Sequence, residues 1–324
     1  MKLGVFPVMT LLSACAAAAD FVPIETLTLK TGGVSDWALV WSDEFKDGDI
    51  DRTKWGYEKD CWGGGNNEQQ CYTDNPKNAY IKDGVLNIVA HHEQAVGRAY
   101  PNHVRPSGKI DYQMSTQAFT SARLTTKDHA DWRYGRIEVR AKLPKGQGTW
   151  PAIWMLPTDK IYGGWEGSGE IDIMEAVNLG TTCESCTDGA ENRIRGTLHY
   201  GGKHSGNKSL GGYTELPVSE GGFNIFALEW TQSRISWFIN GTLYNSKSAD
   251  EWYSDHAPKD NAFAPFDARF HLILNLAIGG GWPERENEGG VDETGFPKMM
   301  QIDWVRVYQC ADDLETSEAC AAHR

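Results

Sequence analysis

Three carboxylates lie within six residues of an otherwise apolar segment, as Glu170, Asp172 and Glu175. In a regular β-strand, side chains two residues apart share a face, so Glu170 and Asp172 point the same way and Glu175 points the opposite way. A single β-bulge near Met174 would bring Glu175 to the same face. Two carboxyl groups placed in this way can approach the separation of ~5–5.5 Å used for hydrolysing a glycosidic bond with retention of configuration.

This chemistry gives each acid a role. Glu170 is the expected nucleophile, and Glu175 is the expected acid/base, whose pKa must be held up by its surroundings. Asp172, between them, would hydrogen-bond the nucleophile and couple to both groups. A solvated acidic strand or a calcium loop is the alternative, but Ile171 and Ile173 indicate a buried strand, in which unpaired carboxylates are costly.

The rest of the chain predicts an all-β protein. Charged and apolar residues alternate over 136–143, as in a half-buried strand, and Asp83-Gly84 and Asn240-Gly241 are typical of tight hairpin turns. Further strands are predicted at 36–42, 119–126, 150–156, 170–177, 193–200, 224–231, 234–239, 269–277 and 300–309. Many short strands separated by Gly, Asn and Asp indicate a sandwich or a barrel.

Composition restricts the partners. The chain has 324 residues, 31 basic and 44 acidic, with a net charge of -13, which argues against nucleic acid and anionic membranes. The 13 Trp and 12 Tyr suit stacking on sugar rings. No repeat, linker or change in composition marks a second domain. We expect a monomer that acts on a neutral polysaccharide.

The N-terminus has the features of an export signal over residues 1–19. Lys2 gives a positive start, 3–12 are mostly apolar, and small residues follow. Cleavage after the alanines at 17–19 and a bacterial lipobox, Leu-Ser-Ala-Cys, that would make Cys15 a lipid-bearing first residue are competing routes. The chain is therefore expected at the cell surface as an outer-membrane lipoprotein, or secreted or periplasmic. No other segment is long and apolar enough to cross a membrane.

The six cysteines besides Cys15 form an even set, as expected for an oxidising compartment. Their spacing suggests three local disulfides, Cys61 with Cys71, Cys183 with Cys186, and Cys310 with Cys320. The first would staple a Gly-rich loop. A zinc site is the alternative for the Cys-x-x-Cys pair, although no second such pair lies nearby.

The order of motifs resembles glycoside hydrolase family 16, and most of all its bacterial laminarinases, which are endo-β-1,3-glucanases. The resemblance rests on Gly-Thr-Trp-Pro-Ala-Ile-Trp-Met-Leu-Pro at 148–157, Gly-Gly-Trp at 163–165 and the acidic strand that follows. Further matching motifs lie at 41–45, 65–68, 134–136, 196–199, 272–277, 280–283 and 303–308. A catalytic domain over 36–309 is thereby implied, with a lead-in at 20–35 and a tail at 310–324. The implied fold is a two-sheet β-sandwich jelly roll (concanavalin A-like) with a concave substrate cleft.

The same resemblance implies further site residues. Trp150 and Trp154 would form the floor near the scissile bond, and His199 would lie close to the acid/base, unless it is a structural strand histidine. Asn66 and Arg123 would hydrogen-bond sugars on the non-reducing side, with a surface salt bridge as the alternative for Arg123. Trp282 would cap another subsite.

The resembling enzymes commonly hold a structural calcium ion. The matching positions are Glu44, the carbonyl of Gly84, and Asp303, which supply hard oxygen ligands. No cofactor is expected for catalysis itself.

The implied reaction is endo-hydrolysis of β-1,3-glucan with net retention. Mixed-linkage β-1,3-1,4-glucan and marine galactans are alternative substrates, although dedicated mixed-linkage enzymes usually lack the extra residue at Met174. A non-catalytic β-glucan-binding protein is a further alternative, and the presence of all three acids disfavours it.

Overall fold

A computed structural model describes residues 28–29, 36–101, 113–202 and 206–321. Within these ranges the regular structure consists of β-strands and four short 3-10 turns, at 63–65, 220–222, 249–251 and 283–285. The strands form two sheets, so the predicted all-β, two-sheet fold is confirmed. None of the described residues belongs to a helix with the length and apolar character needed to span a membrane. The export signal and Cys15 lie outside the described residues.

The larger sheet has eleven strands and is almost entirely antiparallel. It contains β1 (Thr28–Leu29), β2 (Trp37–Asp43), β4 (Gln70–Tyr72), β5 (Ala79–Lys82), β6 (Val85–Arg98), β7 (Met114–Ser121), β9 (Gly135–Lys142), β14 (Asn224–Trp230), β15 (Arg234–Ile239), β16 (Thr242–Ser248) and β18 (Lys298–Cys310). Its main path runs β16-β15-β14-β9-β18-β6-β7-β4, with β2 on β18, β1 on β2 and β5 on β6.

The smaller sheet has seven strands and carries the acidic segment. It contains β3 (Gly56–Tyr57), β8 (Arg123–Thr125), β10 (Thr149–Pro157), β11 (Glu170–Glu175), β12 (Arg193–Gly202), β13 (Gly206–Glu215) and β17 (Phe270–Ile278). The order β13-β12-β11-β10-β17-β8-β3 places β11 between β10 and β12. Ile171, Leu198 and Leu274 of this sheet are fully buried in a single core shared with Leu228 and Trp237 of the larger sheet. Burial of these apolar faces holds the two sheets together.

Most predicted strands are present within a residue or two of their expected ends. The hairpin turns are also confirmed, because Asp83-Gly84 joins β5 to β6 and Asn240-Gly241 joins β15 to β16, all four residues having positive φ. The strand predicted at 119–126 is instead two strands, β7 and β8, which belong to different sheets.

All three predicted disulfides are present. They join Cys61 to Cys71, Cys183 to Cys186, and Cys310 to Cys320. The bond between Cys183 and Cys186 supports the disulfide interpretation of this Cys-x-x-Cys pair over a zinc site. The last pair holds the tail against Trp37 in a small second apolar cluster.

Candidate active site

A β-bulge in β11 places the three acids. In the pairing of β10 with β11, Ala152 lies opposite Glu175 and Trp154 lies opposite Asp172, so two steps on β10 match three on β11. The pairing of β11 with β12 is shifted over the same interval. In the pairing with β10 the residue without a partner is Ile173, one position before Met174, near which the bulge was predicted. This shift allows Glu175 to accept a hydrogen bond from Trp150, which is on the same face of β10 as Trp154.

The bulge is supported from the opposite sheet by a residue that sequence reasoning missed. Trp237 of β15 donates its indole N–H to the backbone carbonyl of Asp172 at 2.8 Å. Gly196 on β12 makes room for this ring, because a Cβ at that position would collide with the indole of Trp237. A glycine inside a strand is a recognised sign of close approach by another group, and this was the signal available in the sequence.

We expect Trp237→Phe to lower both stability and activity. It keeps an aromatic ring but leaves the Asp172 carbonyl without its buried donor, which costs about 1–3 kcal/mol. Trp230→Phe is a matched control, since Trp230 is equally buried and donates to the carbonyl of Phe266 at 3.0 Å, away from the acids. Thermal unfolding should show similar losses for both variants, while kcat should fall only for Trp237→Phe. If Trp237→Phe and Trp230→Phe have the same kcat, the geometry of the bulge does not depend on this hydrogen bond.

Each outer glutamate accepts one indole N–H. Trp165 donates to Glu170 Oε2 at 2.8 Å, and Trp150 donates to Glu175 Oε1 at 3.0 Å. The Trp165 side chain is 57% exposed, so its ring lies over the site rather than in the core. Trp165 belongs to the Gly-Gly-Trp motif at 163–165, but the sequence alone did not predict a contact with the acids.

His199 lies opposite Glu170 in the register of β11 and β12. Its Nε2 is 3.3 Å from Asp172 Oδ2 and 3.8 Å from Glu170 Oε1, and its Nδ1 is 3.5 Å from Glu166 Oε1. These contacts are on the Glu170 side of the triad, whereas the resemblance implied a position close to Glu175. Glu166, which is also buried, was not assigned to the site from the sequence.

Burial and mutual charge shift the titration of these groups. Burial, followed by the negative charge of Asp172, raises the pKa of both Glu170 and Glu175 to about 8. Burial disfavours a charged His199, but hydrogen bonds to Asp172 and Glu166 outweigh it and raise the pKa of His199 to about 11. The positive charge of His199 acts against these shifts, because it lowers the pKa of both glutamates.

Aromatic and polar side chains extend the site along the sheet. Trp150 packs edge-on against Trp282, with ring centroids 5.5 Å apart. Trp154 donates to Asn275 Oδ1 at 2.7 Å, and the guanidinium of Arg123 lies 4.7 Å from the Trp154 ring. These indoles supply the amphipathic surface on which sugar rings stack.

Arg123 is buried rather than a surface residue. It is 9% exposed and pairs with Glu58 at 3.2 Å, beside Trp154. Arg123 therefore does form a salt bridge, but a buried one. The pair lies next to the aromatic floor, the surface formed by Trp150 and Trp154. Such a pair fixes the position of the guanidinium.

Asn66 and Trp282 belong to two loops that are joined directly. The Gly281 N–H donates to the Asn66 carbonyl at 2.7 Å, and the Asn66 side chain donates to Glu68 at 3.2 Å. The Cys61–Cys71 disulfide closes the segment that carries Asn66. The structure thus brings these two predicted substrate contacts to one end of the site.

The predicted calcium ligands do not form a ready site. The strand register brings Glu44, Gly84 and Asp303 to the region where β18 leaves β6 and joins β2. However, Glu44 is held by Arg306 through two hydrogen bonds of 2.8 and 2.9 Å, and Asp303 pairs with Arg140. Both carboxylates are paired with arginines, so a calcium ion could bind here only by displacing these partners.

Comparison with known proteins places the chain among carbohydrate-active enzymes. The model of the family described as "Glycosyl hydrolases family 16" matches residues 91–306. The beta-glucanase of Rhodothermus marinus is 40% identical over 278 residues, covering 84% of this chain and 85% of that protein. The glucan endo-1,3-beta-glucosidase A1 of Niallia circulans is 36% identical over 282 residues, covering 84% of this chain, which spans only 38% of that protein.

A solved structure gives the same result. The X-ray structure of the laminarinase from Rhodothermus marinus superposes with a TM-score of 0.67 at 38% identity, covering 85% of this chain and 98% of that chain.

Proposed function

The chain belongs to glycosyl hydrolases family 16, and we propose that it hydrolyses internal linkages of β-1,3-glucan with retention of anomeric configuration. The observation that carries this proposal is the bulged strand β11, which puts two half-buried glutamates on one face with the buried carboxylate of Asp172 between them. The names of the similar β-1,3-glucan-cleaving proteins support the choice of substrate.

In the first step, Glu170 attacks the anomeric carbon while Glu175 gives its proton to the departing glycosidic oxygen. The bond from sugar to leaving group breaks as the bond to Glu170 forms. His199 and the Trp165 N–H stabilise the ionised form of Glu170 that attacks, and so oppose the burial and the Asp172 charge that raise its pKa. Glu175 is kept protonated by burial and by the nearby charge of Asp172.

In the second step, Glu175 is ionised and takes a proton from water, and the water oxygen attacks the same carbon from the opposite face of the ring. The bond to Glu170 breaks, and its electrons return to the carboxylate. Two inversions give net retention. Asp172 supports both steps, because its charge couples to both glutamates.

The aromatic floor and the joined loops would bind the sugar chain. Trp150 and Trp154 would stack on pyranose faces, with Trp282 standing edge-on to Trp150 as the next contact. Arg123 and Asn66 would hydrogen-bond hydroxyl groups on the non-reducing side. We propose no cofactor for the reaction.

Substrate choice is tested by incubating the purified protein with laminarin, lichenan and agarose and analysing the products. We expect a ladder of β-1,3-linked oligosaccharides from laminarin and slower release from lichenan. Cleavage of agarose alone would overturn the substrate while keeping the mechanism. Binding of laminarin without products from any polymer would move the protein to the recognition class.

We expect activity to fall on the alkaline side as Glu175 loses its proton. The pKa of Glu175 is raised to about 8, so the acid form is present below that pH and disappears as the pH rises through it. The measurement is kcat/KM on laminarin from about pH 4 to about pH 10, a range that includes both the ordinary and the raised pKa of a glutamate. A basic limb centred near pH 5 would show that Glu175 is not held protonated.

We also propose that the protein is exported, either anchored through a lipid on Cys15 or released after ordinary signal cleavage, and that it acts as a monomer. A calcium ion remains a proposal that would require Glu44 and Asp303 to exchange their arginine partners for the metal. Thermal unfolding with added calcium and with a chelator tests it, and an unchanged midpoint would contradict it.

A further inference from the structure

One buried carboxylate beside the triad has no role in the reaction just described. The Glu166 side chain is 4% exposed, and its Oε2 atom is buried without a hydrogen-bond partner among the described residues. A buried carboxylate is costly unless it is paired with a positive group or protonated. His199 is a positive group within reach, since its Nδ1 lies 3.5 Å from Glu166 Oε1.

Both ring nitrogens of His199 face carboxylates. Nδ1 faces Glu166, and Nε2 faces Asp172 at 3.3 Å and Glu170 at 3.8 Å. A neutral imidazole has one donor and one acceptor nitrogen, so one of its nitrogens would direct a lone pair at an anionic oxygen. The doubly protonated ring donates on both sides, and the geometry therefore suits the imidazolium ion.

The turn that carries Glu166 is fixed by its own hydrogen bonds. The Gly169 N–H donates to the Glu166 carbonyl at 2.8 Å, and the Ser168 hydroxyl donates to the Gly163 carbonyl at 2.7 Å. Ser254 donates to the carbonyl of Gly167 at 2.6 Å from a distant loop. Glu166 is therefore held at a set position relative to β11 and does not need to be ordered during turnover.

We propose that Glu166 is a positioning residue that, together with Asp172, holds His199 as a fixed imidazolium ion beside the nucleophile. This proposal rests on the proposed function and gives the cation two tasks. It favours the ionised form of Glu170 that attacks, and it stabilises the carboxylate that leaves when the glycosyl-enzyme is hydrolysed. Glu166 touches neither reacting atom. It acts through His199.

The charged groups that contact His199 from the neighbouring strand and turn are acidic. From β11 it faces Glu170 and Asp172, from the turn it faces Glu166 and the ring of Trp165 at 5.8 Å, and on β13 its register partner is the uncharged Ser209. Glu175 also feels the charge of His199, and Arg195 acts on Glu175 from the same strand as His199. Removing the negative charge of Glu166 should lower the pKa of His199, Glu170 and Glu175.

The direct test is a pH titration of the histidine ring nitrogens by NMR in ¹⁵N-histidine-labelled protein, with the His199 signals assigned from a His199→Gln variant. In the wild-type protein we expect both His199 nitrogens to stay protonated through about pH 8.5. In Glu166→Gln, the His199 transition should move down by about one pH unit or more. A neutral His199 at pH 7 in the wild type, or an unchanged transition in Glu166→Gln, would overturn the proposal.

A kinetic test compares Glu166→Gln with Glu184→Gln. The second variant is the control, since Glu184 is an exposed glutamate. The pH profile of kcat/KM for Glu166→Gln should move as a whole toward acid, with KM near the wild-type value, and the profile of Glu184→Gln should not move. A Glu166→Gln profile that coincides with the wild type would overturn the positioning role. If Glu166→Gln does not fold, the wild-type titration alone still decides the charge state. A His199 that titrates as expected in a protein that cleaves no glucan would support the charge state and reject the proposed reaction.

Discussion

Replacing Glu170 with glutamine is expected to lower kcat on laminarin by about 10⁴-fold or more, because the amide cannot form the glycosyl-enzyme bond. KM should change little, since the aromatic floor formed by Trp150 and Trp154 is untouched. The fold should also survive, because the amide fills the same space and can still accept the N–H of Trp165 at the position now occupied by Glu170 Oε2. Oligosaccharide release and thermal unfolding measure these quantities.

A second variant identifies the role and not merely the importance of this residue. Glu170→Gly leaves a space from which added azide can attack the anomeric carbon of an activated aryl β-glucoside of a laminari-oligosaccharide. The product should be the α-glycosyl azide, since only one inversion occurs. A β-glycosyl azide, or full activity in Glu170→Gln, would show that Glu170 is not the nucleophile. Glu184→Gln serves again as the exposed control.

Replacing Glu175 with glutamine should produce the second large loss, of about 10²–10⁴-fold in kcat, the range that general acid/base catalysis contributes. The loss should be small for glycosylation by substrates whose leaving group needs no proton, and large for laminarin. The alkaline limb near pH 8 should vanish from the profile, because the group responsible for it has been removed.

Stability offers an independent check on Glu175. Its folded-state pKa is raised from 4.5 to about 8, so its ionisation weakens the fold increasingly as the pH rises from the lower value to the higher one. Glu175→Gln removes that cost and should unfold at a higher temperature than the wild type at pH 9, a pH chosen to lie roughly one unit above the raised value. With azide, Glu175→Gly should yield the β-glycosyl azide. An α-product or a retained alkaline limb would assign the acid/base role elsewhere.

Much of the site could be predicted because its signal is local. In a regular strand Glu170 and Glu175 would point to opposite faces, so a bulge was required between them. The bulge lies at Ile173, one residue from the predicted position near Met174. The hairpins at Asp83-Gly84 and Asn240-Gly241 were equally local, since both residues of each turn must accept positive φ.

The residues that were missed depend on contacts between distant parts of the chain. Trp237 reaches the bulge from the other sheet, 65 positions away from Asp172, and nothing in its own strand indicates this. Glu166 looks like a solvated loop acid in the sequence, and its burial follows only from the packing of its turn against β12. The strand predicted at 119–126 failed for the same reason, because a change of sheet leaves no mark on local alternation.

Two edge strands were absent from the predicted strand ranges for a different reason, although the hairpin at Asn240-Gly241 implied the second of them. β13 and β16 carry mostly polar or half-exposed side chains, so neither shows the alternation of apolar and polar residues that reveals a strand. Their pairing with β12 and β15 supplies the order that their own sequences do not.

The most direct test of the account is the stereochemistry of cleavage, followed by time-resolved ¹H NMR of the anomeric protons during hydrolysis of laminarin by the wild-type protein. Retention by Glu170 and Glu175 predicts that the new reducing ends form first as the β-anomer and then mutarotate toward equilibrium. Initial formation of the α-anomer would contradict the double displacement and, with it, the roles assigned to both glutamates.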